Sequence, residues 1–430
     1  MAGGATAAPT PGLISSILGL LTNDINKLLS SLGIKLHNDG RGHGSTVPFH
    51  NQCPFNVPSV DLSPFRYHHN INWGKGVNGG RFIDWKTFKA NGANLGGWLE
   101  KEKTHDPIWW SEVGGDDAPD EWTLCQNLGS KCASVFEARY ASFLNTTTID
   151  QLASVGVNTL RIPLTYAAFV KVPGSQLYHG NQLKFLKAIT DYAILKYNMH
   201  VIIGLHSLPG GVNNLDIGEA LFHNAWFNNA TNLDYSFQAI DGVLNFIKQS
   251  GHMNAFTVAP INEASDNFAG FGSAAGLTVK GTDWINTYLD GVLAKIAKVE
   301  EQDKRIPMMI QDSFMGASYW APFYPPTSNI VFDSHVYYFA AAGTYAGFVN
   351  PAVCGQAQYI AQETRFPVFV GEWSLQAMYN NTLAQRKTLF DTQRYSTASV
   401  DGEGSQREYW SFVDLVREGV AKAETSEAYC

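Results

Sequence analysis

The sequence predicts an α/β protein built as a (β/α)8 barrel, a TIM barrel, and three observations carry that expectation. Short, near-continuous apolar runs alternate with stretches of helical periodicity, the pattern of parallel strands covered on both faces. Nearly every run ends in a polar residue, and a barrel gathers its strand ends at one mouth. No glycine-rich phosphate loop follows the first run, which argues against a dinucleotide-binding sheet.

In order, strands are expected at Ala93–Trp98, Val157–Leu164, His200–His206, Phe256–Ile261, Pro307–Gln311, Ile330–Tyr337 and Val368–Trp373. Helical stripes lie between them. Leu183, Leu186, Ile189, Ala193 and Ile194 form one. Phe237, Ile240, Val243, Leu244 and Ile247 form the next, and Trp284, Tyr288, Val292 and Ile296 the third. Beyond Glu372, helices are expected across Leu383–Arg394 and from about Arg407. The eighth strand is expected to be shortened or missing. Tyr395–Val400 is short and polar for an interior strand, and the Arg394, Tyr395, Ser396 junction reads as a deletion or a splicing fault.

Residues 1–85 read as an N-terminal extension, partly disordered, ahead of a barrel over 86–430. Leu13–Leu32 has amphipathic helical periodicity interrupted by Asn23, Asp24 and Lys27. It lacks the basic n-region of a signal peptide and the apolar length of a membrane span. Leu36–Pro64 is rich in Gly, Pro, His and Asn, as loops are.

The chain has 430 residues, 45% hydrophobic and 13% aromatic, enough for a large core. A formal charge of −8 leaves no basic field for nucleic acid. The aromatic excess suits sugar stacking, although core packing accounts for most single residues. The five cysteines show no metal-ligand spacing, so no metal is expected, and Cys125 and Cys132 flank a loop they can close. Sequons at Asn145, Asn229 and Asn380 beside isolated cysteines lean toward a secreted glycoprotein.

The strand ends carry the chemistry. Arg161, His206, Asn262 and Glu263, Gln311 and Asp312, His335 and Tyr337, and Glu372 each close an apolar run. Glu263 and Glu372 lie far apart in sequence, yet a barrel brings strand ends together. Two carboxyls at one mouth are the minimal machinery for hydrolysing a glycosidic bond. Singly, His206 or Asp312 is equally well read as a satisfied core residue.

The set Asn94-Leu-Gly-Gly-Trp-Leu99, Thr159-Leu-Arg-Ile-Pro163, Leu205-His206, Asn262-Glu263, Asp333-Ser-His335-Val-Tyr337 and Gly371-Glu-Trp-Ser374 resembles glycoside hydrolase family 5. Within it the chain is most similar to fungal exo-β-1,3-glucanases and rutinosidases. The resemblance implies Glu263 as acid/base and Glu372 as nucleophile of a retaining reaction, with no cofactor. It implies that Arg161 and Tyr337 hold the nucleophile, that His206 and His335 contact sugar or tune the acid, and that Asn262 bonds the 2-hydroxyl. Glu102 matches a carboxylate that binds terminal glucose. Its plainer reading is a solvated charge in Glu-Lys-Glu-Lys. Ala264 stands where most of the family has proline. Leu215 and Ala340 stand where two aromatic residues clamp the acceptor sugar, so Phe314 or Phe339, with Asp312 nearby, is the expected substitute subsite. Trp410 belongs to a later motif and does not supply the usual tryptophan floor.

The implied activity is glucan exo-1,3-β-glucosidase, by a secreted monomer acting on β-glucan or another glycoside. One alternative is a rutinosidase, releasing an intact rhamnosyl-glucose disaccharide from a flavonoid. Another is an inactive carbohydrate-binding barrel.

Overall fold

The computed structural model describes residues 80–299, 305–339, 349–363 and 365–375, Leu389 and Gln393, and the main chain of 406–409. Eight parallel strands close a barrel in chain order. They are β1 (Asn91–Asn94), β2 (Thr159–Leu164), β3 (His200–Leu205), β4 (Phe256–Ala259), β5 (Met308–Gln311), β6 (Ile330–Val336), β7 (Val368–Trp373) and β8 (Gln406–Tyr409).

Seven strands overlap the apolar runs: β7 coincides with its run, β2 to β6 are trimmed by one or two residues, and β1 begins two residues early, at Asn91. β1 shows the largest change. It ends at Asn94 because Gly96 and Gly97 follow, and Gly97 turns the chain at φ 68°. β4 stops before Pro260, which has no N–H to give a ladder. The eighth strand takes the shortened form. Its four residues align with β7 at Phe369↔Gln406 and Val370↔Arg407, and with β1 from Asn91↔Arg407 to Ala93↔Tyr409. The helix expected from about Arg407 is therefore a strand at its start. The facing edges of β7 and β1 both offer unpaired backbone groups, and a strand satisfies them where a helix would not.

Helices Gln182–Tyr197, Ala230–Ser250 and Val279–Val299 carry the three apolar stripes. They bury, among others, Leu186 and Ile194, Ile240 and Ile247, and Tyr288 and Val292 against the barrel. The first ends in left-handed Asn198 and the second in left-handed Gly251. Helices Glu121–Leu128 and Cys132–Phe143 are stapled by a Cys125–Cys132 disulfide, and Cys354 is also disulfide-bonded. Leu389 and Gln393, the described residues of the helix expected at Leu383–Arg394, are helical. Leu13–Leu32, Ala340, Asn380, Tyr395–Val400 and Trp410 lie outside the described residues.

The segment before β1 closes the N-terminal end of the barrel. Trp85 is 2% exposed and packs with Ile83, Ala90, Ile202, Ala259, Met309, Val331 and Phe369. Its indole donates to Thr257 Oγ1 at 3.1 Å, and its ring meets His200 and Phe369 edge-on. Burial drives His200 down to about 3, so this imidazole is neutral and structural.

Candidate active site

The opposite end is polar. Arg161, from the middle of β2, is 1% exposed and reaches across the barrel mouth. Its Nη1 donates to Glu372 Oε1 at 2.7 Å and to Asn94 Oδ1 at 3.2 Å. Its Nη2 donates to Asn262 Oδ1 at 3.1 Å and lies 3.2 Å from Asp333 Oδ2. A planar guanidinium suits this role, because its donors diverge at fixed angles.

Glu372 reaches the same point through an irregularity in β7. Ser334 aligns with Val370 but His335 with Glu372, so Gly371 is an extra residue in the ladder. Such a bulge re-aims the next side chain. Only glycine fits there, because a Cβ would lie 2.0 Å from Asp333 Oδ1. Asn94 Nδ2 donates to the Gly371 carbonyl at 2.6 Å and fixes the bulge from β1. Glu372 Oε2 then accepts from Tyr337 Oη at 2.8 Å.

Glu263 follows β4 in a left-handed conformation, φ 44°, unusual for a residue with a Cβ. Its carboxyl is 2.7 Å from His335 Nδ1, and that nitrogen is 3.3 Å from Glu372 Oε2. An oxygen of Glu263, a ring nitrogen of His335 and an oxygen of Glu372 all lie within 4.8 Å of one another. That separation matches carboxyl pairs of the retaining kind, about 5 Å apart, rather than the roughly 6.5–9.5 Å that leaves room for an inverting water.

The electrostatics follow from burial and neighbours. Burial alone would discharge His335, but Glu372 and Asp333 outweigh it and hold the imidazole up at about 10. Burial raises Glu372 above the ordinary carboxylate range, against the pull of His335 and Arg161. Burial also opposes ionisation of Asp333, yet His335 and Arg161 hold it below its usual value. Burial first, then Arg161 and His335, push His206 well down. It is neutral, 3.3 Å from Arg161 Nη1 and 3.7 Å from Glu372. Glu263, His335 and Glu372 also have the spacing of a metal site. The positive charge there is already supplied by protonated His335 and by Arg161, so a cation would have to displace a proton.

Glu102 is not a freely solvated charge. Its carboxyl stands 3.6 Å from His105 with 11% side-chain exposure. Burial raises it well above the usual range, followed by the charges of Glu100, Asp216, Glu372 and Glu263. Asp312 turns into the protein, where Ser334 Oγ donates to it at 2.5 Å and Phe314 N at 2.9 Å. Burial brings it up to about 6. Phe314 is half-buried against Phe271, while exposed Phe339 leans on Tyr337 at the rim. Leu215 is half-buried. Asn145 and Asn229 are helix N-caps whose Oδ1 atoms accept backbone N–H groups, leaving Nδ2 as the sequon nitrogen.

The sequence assigns no role to Asn94 or Asp333, and it marks Gln311 as a strand end without showing that it contacts Glu263. The first two stand inside the motifs quoted above.

Residues 117–401 match the Cellulase family (glycosyl hydrolase family 5). The crystal structure of a rutinosidase from Aspergillus niger is similar at 43% identity and TM-score 0.74, over 79% of this chain and 99% of that one. The solved structure of AoRut is similar at 45% identity and TM-score 0.72, over 76% and 90%. A probable glucan 1,3-beta-glucosidase A from Aspergillus niger is 28% identical over 296 residues, 68% of this chain and 66% of that protein. The chain thus spans about two thirds of that relative's length.

Proposed function

Because this chain belongs to glycosyl hydrolase family 5, we propose that it hydrolyses β-glucosidic bonds by a retaining double displacement. The single observation that carries the mechanism is the 4.8 Å cluster of Glu263, His335 and Glu372. Glu372 accepts from Arg161 and Tyr337, whereas the Glu263 carboxyl is hydrogen-bonded to His335. Arg161 and Tyr337 both donate to Glu372, so we assign the nucleophile to Glu372 and the acid/base role to Glu263. Glu372 attacks the anomeric carbon while Glu263 protonates the departing oxygen. Water, deprotonated by Glu263, then attacks the glycosyl ester, and the sugar leaves with retained configuration. Asn262 meets the sugar 2-hydroxyl, and His206 and Glu102 line the sugar side.

For the substrate we favour a rutinoside over β-1,3-glucan. The rutinosidase likeness is at 43% identity against 28% for the glucan glucosidase, and Leu215 provides no aromatic clamp. Retention of both glutamates weighs against an inactive binding barrel. A secreted monomer, glycosylated at Asn145 and Asn229, is consistent with the Cys125–Cys132 disulfide. No helix among the described residues is long and apolar enough to cross a membrane. The test offers rutin, laminarin and a chromogenic β-glucoside, with Glu372→Gln as control. Rutin turnover without laminarin turnover is expected. Turnover of none by folded protein would defeat the proposal.

A further inference from the structure

We infer that Gln311 is a positioning residue for Glu263, an inference that rests on the acid/base role proposed above. Three observations point to it. The β4–β5 ladder has a single aligned pair, Val258↔Met308, so the two strands part well before Glu263. The Gln311 side chain, 2% exposed, spans that gap: its Oε1 accepts from Glu263 N at 2.9 Å and from Ser313 N at 2.9 Å. Glu263 and Ser313 both have left-handed backbone, φ 44° and 50°, and so does Phe314 at 59°.

Left-handed backbone is strained for a residue with a Cβ and persists only where the surroundings over-determine it. At Glu263 the surroundings are two amide side chains. Gln311 takes the N–H, and Asn213 Nδ2 donates to the Glu263 carbonyl at 3.1 Å. Asn213 is fully buried, and its own Oδ1 is fixed by Leu215 N at 3.1 Å. The peptide groups on both sides of the acid are therefore held from the end of β5 and from the loop after β3, and the side chain is aimed at His335 and the leaving oxygen. Without the Gln311 acceptor, the N–H groups of Glu263 and Ser313 are orphaned, and the left-handed turn at Glu263 loses one of its two anchors.

The consequence is selective. An acid matters only where the leaving group needs a proton. Wild type, Gln311→Met, Gln311→Glu, Asn213→Ala and Glu263→Gln are compared by kcat/KM on two aryl glycosides of the accepted sugar. One carries phenol, the other 2,4-dinitrophenol, which departs without help. Gln311→Met is expected to lose roughly 10- to 100-fold on the phenyl glycoside and to stay within about 3-fold on the dinitrophenyl one. Gln311→Glu keeps the accepting oxygen and restores most of the phenyl rate. Equal losses on both substrates, or no loss on either, would overturn the inference. If Gln311→Met does not fold, Asn213→Ala reads the other anchor, and the same leaving-group selectivity is required of it. Glu263→Gln separates the two levels: equal losses there would remove the acid role itself, whereas a selective loss there without one at Gln311 removes only the positioning.

Discussion

Replacing His335 with glutamine removes the one imidazolium that touches Glu263, Glu372 and Asp333, at 2.7, 3.3 and 3.3 Å. A rise from 6.5 to about 10 is worth about 5 kcal/mol in favour of the charged ring. The range for breaking a buried ion pair, about 3–5 kcal/mol, agrees with it. The sign is that of a raised histidine. Its contribution is complete below pH 6.5 and disappears as pH climbs through about 10. Thermal unfolding of wild type and His335→Gln from pH 6 to 10 reads this directly. The melting-temperature gap should be on the order of 6–15 °C at pH 6 and should close toward pH 10. A gap that is constant or grows with pH would mean a neutral His335, and the charge balance drawn for the site would fail.

Other expectations are simpler. Burial raises Glu372, and the nucleophile must be ionised, so the acidic limb of kcat/KM should lie above the ordinary glutamate value of 4.5. A limb at or below that value in a pH–rate profile would contradict the assignment. Gly371→Ala forces a Cβ against Asp333 Oδ1 and should cost about 1–3 kcal/mol or more, measured by denaturant unfolding, with activity lost as Glu372 is displaced. Trp85→Ala should cost about 3–5 kcal/mol in the same measurement and leave KM unchanged, since the site is at the other end of the barrel.

The strands were legible because a parallel strand covered on both faces is an unbroken apolar run, and β2, β3, β6 and β7 are buried almost throughout. The glutamates were legible for the same reason, as polar residues ending such runs. β8 was not, because its residues Gln406-Arg-Glu-Tyr409 carry no apolar signal, and its strand state comes from the edges of β7 and β1. Gln311 was visible as a strand end, but its role was not, because that role depends on where β4 and β5 separate. Gly371 reads as an ordinary glycine until the register skip shows that it turns Glu372 into the mouth.

The Trp85 plug has a kinetic meaning. Among the described residues, Ile83, Trp85, Ile202 and Phe369 fill one end of the barrel, and the glutamates sit toward the other. On the proposed reaction, aglycone exit and water entry share one doorway. Each turnover is then sequential traffic: the first product must clear the rim beside Phe339 before water can reach the glycosyl ester, and an aglycone that lingers there lengthens the life of the covalent intermediate.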